Sequence, residues 1–140
     1  MKPILTASPQ TPQGHGAGVL LFCPGTGRFL FIQRSGTGDG EGTWCCPGGT
    51  VEDHETIDEA VRRECEEEIG YRPEGDLLHM HRNVNPDTNY TFHNHMCIVP
   101  DEFEPTLNEE HTAYQWSEEA PDNLLPGFQQ SMEQWQGRQG

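Results

Sequence analysis

Apolar positions along the chain recur with two periods. Residues 16–23 (GAGVLLFC) are almost wholly apolar, and after a turn at Pro24-Gly25-Thr26-Gly27 the run Arg28 to Arg34 (RFLFIQR) follows, so the pair predicts a β-hairpin. In its second strand Phe29, Phe31 and Gln33 point one way and Leu30, Ile32 and Arg34 the other. Trp44 to Cys46 predicts a short strand. Asp76 to Val84 and Thr88 to Val99 predict two more, joined by a turn at Asn85-Pro86-Asp87. Two stretches carry the helical period instead. Pro47-Gly48-Gly49 predicts a glycine turn, and the chain beyond it predicts a helix that stops at Gly70, a left-handed C-cap, with Pro73 unable to continue it. Leu124-Leu125-Pro126 leads into a last helix whose Phe128, Met132 and Trp135 form an apolar stripe. Strands and helices mixed in this way predict the α/β (α+β) class.

The first helix carries the unusual pattern. At about 100° per residue, Ile57, Ala60 and Val61 share the side that should face the core. Glu64 and Glu68 then fall on that same side with Glu67 beside them, while Glu66 points the opposite way. A run of acids is ordinarily a solvated face, but these share a side with the apolar residues. Grouped carboxylates removed from water cost several kcal/mol per unpaired ion, so a cation must offset them. Arg63 is one, and a hard divalent metal taking oxygen ligands, such as Mg²⁺, is the other.

Gly49, then five residues, Glu55, then seven residues, and Arg63-Glu64-Cys65-Glu66-Glu67-Glu68-Ile69-Gly70-Tyr71 have the order and spacing of G-x5-E-x7-R-E-U-x-E-E-x-G-U, where U is bulky and apolar. The stretch resembles the Nudix box, with Cys65 and Tyr71 where an aliphatic residue is usual, and Trp44 to Gly49 is similar to the family's lead-in strand and turn. The resemblance implies a Nudix-type α/β/α sandwich, a mixed sheet between helices. It implies hydrolysis of a phosphoanhydride in a nucleoside diphosphate linked to another group, with Mg²⁺ or substituting Mn²⁺ as cofactor. By the same resemblance the metal ligands are the Gly48 carbonyl, Glu64, Glu67 and Glu68, while Glu55 and Arg63 fix the loop and the glutamates. Leu107 to Ser117 also looks like a Nudix segment, in which a loop glutamate faces the metals. Glu110 is the choice and Glu109 the runner-up, and Glu67 competes with Glu110 as general base. Arg34 stands where family members often meet substrate phosphate; its plainer reading is an exposed strand-end arginine.

Other features narrow the picture. The loop Ser35 to Thr43 lacks the Walker Gly-Lys-Ser/Thr ending and the acidic ligands of an EF-hand, so it reads as a flexible loop beside the site. His79/His81 and His93/His95 each share a strand face. Aligned, they gather four imidazoles for zinc or a similar metal; otherwise one pair holds nucleoside or phosphates, or they line a polar sheet face. Tyr114 and Trp116 read as core.

With 23 acids against 8 Lys plus Arg, the net charge is −15, which disfavours long nucleic acid and anionic membranes as partners. Lys2 is the only lysine, a trait of salt-adapted proteins that genome base composition also produces. The length predicts one domain over residues 15–136, between a loose arm at 1–14 and a frayed tail at 137–140. Five cysteines make no staple framework, no apolar leader is visible and no run approaches a membrane span, so the expected compartment is the cytoplasm. The expected partner is a small nucleotide, with a homodimer left open because many relatives dimerise. The rival readings are a non-catalytic Nudix-fold nucleotide-binding module and a metal-sensing protein built on the histidines.

Overall fold

A computed structural model describes residues 14–36 and 40–139. The arm expected at 1–14 therefore lies outside the described residues except for Gly14, as does the centre of the glycine-rich loop at 37–39. The strands are β1 (His15–Cys23), β2 (Arg28–Arg34), β3 (Trp44–Cys45), β4 (Gly48–Thr50), β5 (Leu78–Val84), β6 (Thr91–Ile98) and β7 (His111–Ser117); the helices are α1 (Ile57–Ile69) and α2 (Pro126–Gln139).

One sheet runs in the order β3-β2-β1-β6-β5, with β4 also pairing β1 and β7 pairing β2. β1 lies parallel to β6, with His15 opposite Thr91 and Phe22 opposite Ile98, while the other pairings are antiparallel, so the sheet is mixed. β1 sits at its centre. Ala17, Val19, Leu20 and Leu21 are fully buried, which explains why this strand reads as a continuous apolar run and not an alternating one.

The alternation on β6 shows how the two faces are covered. Asn94 bonds to Ser131 of α2 on one face, and the ring of His95 meets the Gly18 carbonyl on the other, where the Asp58 carboxylate of α1 is felt. Helix α2 seals its face with buried Phe128 and Met132, Phe128 packing edge-on to Phe31, as the predicted stripe requires. Helix α1 seals its face with Ala60, Val61, Cys65 and Ile69. No helix among the described residues is long and apolar enough to cross a membrane.

Several expectations change. Gly48-Gly49 is not a turn but part of β4, with Gly48 opposite Gly18 and Gly49 opposite Ala17. Helix α1 starts at Ile57, capped by Thr56 in a box with Glu59, so Glu55 lies in the preceding turn and not in the helix. Residues 88–90 belong to the hairpin turn, where Asn89 takes φ 64°. Tyr114 is exposed, whereas Trp116 is half-buried and donates from its indole nitrogen to the Phe103 carbonyl at 2.9 Å. The four strand histidines do not meet. A bulge between His79 and His81 leaves Met80 as the extra residue, so His79 faces His95 on the α1 side and His81 reaches Ser131 on the α2 side. His93 stacks instead on His15, their nearest ring nitrogens 3.1 Å apart.

Candidate active site

Helix α1 brings its carboxylates against β4. Thr56 starts the helix and Gly70, at φ 74°, ends it, so the register that buries Val61 and Cys65 also turns Glu64 and Glu68 toward the sheet. Glu68 is 3% exposed and accepts a bond from the Gly48 backbone N–H at 3.1 Å. Glu64 lies so close to β4 that a side chain at Gly49 would collide with its carboxylate. At Gly48 a Cβ would press on the Ala17 carbonyl and the Gly18 backbone, both within 2.8 Å. Close approach, not backbone twist, therefore makes both positions glycine.

Arg63 ties the surroundings together. Its Nη2 donates to Glu55 Oε1 at 2.9 Å and to the Thr50 carbonyl at 3.1 Å, and its Nη1 meets both oxygens of Glu67 at 3.3 Å and Glu64 at 3.7 Å. The arginine thus joins the β4 end, the pre-helix turn and two box glutamates. Its guanidinium, together with the Glu52 backbone bond, holds the Glu55 carboxyl down at about 2. Glu66 points away to Arg72, at 3.4 Å, on the exposed side.

The loop before β7 completes the group. Thr106 and Asn108 donate their backbone N–H to the Ile69 and Glu68 carbonyls, at 2.9 and 3.2 Å, satisfying the open end of α1. Asn108 Oδ1 accepts from the Glu110 N–H at 3.0 Å, and Ser35 N–H reaches the Glu110 carbonyl at 2.8 Å. These bonds put Glu110 where its charge is felt by both Glu64 and Glu68. Burial above all, with the Glu64 and Glu110 charges added, pushes the Glu68 carboxyl up to about 8 against the opposing Gly48 bond. Burial likewise raises Glu64, opposed by Arg63.

Two cavities flank this edge. One, of about 290 Å³, lies between sheet and α2 and is lined by Phe92, Tyr90, Phe128, Leu125 and the carboxamides of Asn83, Asn85 and Asn94, with Gly48 and Gly49 as its boundary. The other is lined by Arg34, Ser35, Glu109 and Glu110. Arg34 belongs to both. β4 thus separates the first cavity from the box glutamates with bare backbone.

The structure gathers Glu64, Glu68, Glu110, Gly48 and Arg63, and sets Arg34 on the cavity walls. Glu67 stands further out, half-exposed in its pair with Arg63. Among the described residues no three His, Cys, Asp or Glu side chains converge on one point. What they share is one flank, on which the Glu64 and Glu110 charges add to the rise of Glu68 and the Glu67 and Glu110 charges to that of Glu64, and an all-oxygen donor set of the kind a hard divalent cation takes.

One residue escaped the sequence reading. His111 is 6% exposed, and its Nδ1 is the buried side-chain atom left without a hydrogen-bond partner among the described residues. Burial, and then the Arg34 charge, lower it to about 4, so the ring is neutral near pH 7. Only its place directly after Glu110 pointed to it.

A model of the NUDIX domain family matches residues 12–134. Comparison with curated proteins gives no match. Among solved structures, the chain is similar to a MutT protein from Methanosarcina mazei Go1, with TM-score 0.74 and 22% identity over 90% of this chain and 94% of that one. It is similar to a MutT NUDIX hydrolase from Burkholderia pseudomallei, with TM-score 0.68 and 25% identity over 86% and 96%. It also resembles an Ap4A hydrolase from C. elegans, with TM-score 0.62 and 22% identity over 74% and 79%. The fold and the family match therefore agree: the chain belongs to the Nudix hydrolases, enzymes that act on pyrophosphate bonds.

Proposed function

We propose that the chain is a Mg²⁺-dependent pyrophosphohydrolase of small nucleotides, cleaving the phosphoanhydride of a nucleoside diphosphate linked to another group. The observation that carries this reading is the buried Glu68 and half-buried Glu64 lying against the Gly48-Gly49 backbone of β4, with a base-sized cavity on the other side of that backbone. The residues that would hold the cation are the Gly48 carbonyl, Glu64, Glu67 and Glu68. Bound there, it supplies positive charge to phosphate oxygens and makes water more acidic.

The chain's own groups do the rest. Phe92 and Tyr90 offer flat apolar surface to a base, and the three carboxamides offer it hydrogen bonds. Arg34, between the two cavities, neutralises phosphate oxygens. Glu110 accepts the proton of the attacking water, a role that suits it better than Glu67, whose two oxygens are already engaged by Arg63. The water oxygen bonds to phosphorus as the bridging P–O bond of the anhydride breaks, the water's proton having passed to Glu110, and two phosphate products leave.

A panel of ATP, GTP, ADP-ribose and diadenosine tetraphosphate, followed by coupled phosphate release with and without Mg²⁺, tests the reading. Cleavage of at least one substrate, abolished by chelator, is expected. Binding of these nucleotides without any cleavage at saturating Mg²⁺ would make the chain a nucleotide-binding module instead.

A further inference from the structure

His111 is a buried polar group with an unmet requirement. Leaving such a nitrogen without a partner is destabilising, and an apolar ring of similar size would avoid the cost. Its position makes the exception informative. The bulge at the end of the β2–β7 ladder sets His111 directly opposite Arg34, and the preceding residue is Glu110. The same arginine lines both cavities, so its side chain stands between the two places where substrate phosphates and the proposed base meet.

We propose that His111 is a positioning residue for Arg34: its unpaired Nδ1 accepts a guanidinium N–H when Arg34 engages substrate phosphate, holding the fork in one orientation. The proposal rests on the phosphate role assigned to Arg34 above. The neutral ring carries its proton on Nε2 and leaves the Nδ1 lone pair for the arginine. A planar guanidinium loses most of its value when its orientation is free, so a single acceptor behind it acts on substrate affinity. Burial keeps competing water from that nitrogen.

Three variants separate this role from packing. Asn places a carboxamide oxygen close to where Nδ1 stands; Gln places it near Nε2; Phe keeps the ring and removes both nitrogens. With whichever panel nucleotide is cleaved fastest, His111→Phe is expected to raise KM about 10-fold with kcat within about 2-fold, the mark of lost binding common to ground and transition states. His111→Asn is expected to stay within about 3-fold of the wild-type KM, and His111→Gln to resemble Phe. Thermal stability of His111→Phe is expected to match or exceed wild type, since an orphaned polar atom has gone.

In an Arg34→Ala background, His111→Phe is expected to add nothing further to KM. A His111→Phe enzyme with wild-type KM, or a full additional loss on top of Arg34→Ala, overturns the proposal. If Arg34→Ala itself leaves KM unchanged, the phosphate role of Arg34 falls first; if it raises KM while His111→Phe does not, only the role of His111 falls.

Discussion

Glu68 is the residue in which burial and charge conflict most sharply. Its carboxyl is almost fully covered, and its one backbone donor, Gly48 N–H, does not prevent burial from pushing it up to about 8. Without a cation it is largely protonated at neutral pH; to serve as a ligand it must give that proton up, so Mg²⁺ binding at this site is expected to release protons below about pH 8. Glu68→Gln keeps the shape and the Gly48 bond but cannot ionise. Turnover is expected to fall by about 10²-fold or more while the fold is retained, measured by steady-state hydrolysis and circular dichroism. Glu66→Gln is the matched control. Glu66 points to Arg72 on the exposed side, and its variant is expected to stay within about 2-fold of wild type. Near-wild-type turnover in Glu68→Gln would remove this residue from the site.

The contact between β4 and α1 sets how far those carboxylates stand from the cavity. Gly49 has no side chain because Glu64 occupies the space a Cβ would need. Gly49→Ala is therefore expected to displace Glu64 and cut turnover about 10-fold or more, with a smaller loss of thermal stability, because a long glutamate side chain can move away. Arg63→Ala should be worse for the fold. It releases Glu55, Glu67 and the Thr50 carbonyl together, so both Tm and metal affinity by calorimetry are expected to drop, although no ligand has been removed. Much of this was legible in the chain: the 3.6-residue period alone turned Glu64 and Glu68 inward and Glu66 outward. The strand character of Gly48-Gly49 was not, because glycine pairs mark turns more often than extended segments, and only the partner strand β1 reveals the close approach. The histidine faces were hidden for a related reason. A one-residue bulge at Met80 reverses which face the next side chain takes, and nothing local announces it. His111 left no pattern at all, since an orphaned nitrogen is defined by what surrounds it in space.

For the molecule as a whole, the site's charge should appear as an unusual dependence of stability on pH. Glu55, held down at about 2, contributes stability that is fully present above its unfolded pKa near 4.5 and lost as pH falls toward 2. His93, His95 and His111 have folded pKa values below the 6.5 of the unfolded chain, so stability gains from them as pH rises to about 6.5. Glu68 acts in the opposite sense. With a folded pKa of about 8 against 4.5 unfolded, the folded chain binds the extra proton in between, and stability falls as pH rises through that range. The window from about 6.5 to 8 therefore separates the two effects. Metal-free protein is expected to lose Tm across it, and Mg²⁺ is expected to restore more at pH 8 than at pH 6.5. The net charge of −15 adds a general repulsion as the last histidines lose their protons. Two controls separate the contributions: about 0.15 M salt shortens the reach of surface charge to roughly 8 Å, and Glu68→Gln deletes the specific group. In that salt, the wild-type Tm should still decline between pH 6.5 and 8 in metal-free buffer while the Glu68→Gln curve stays nearly level. A wild-type curve that is flat or rising there, or one that Glu68→Gln merely parallels, would mean that this carboxyl is not the buried charge the fold carries for a cation.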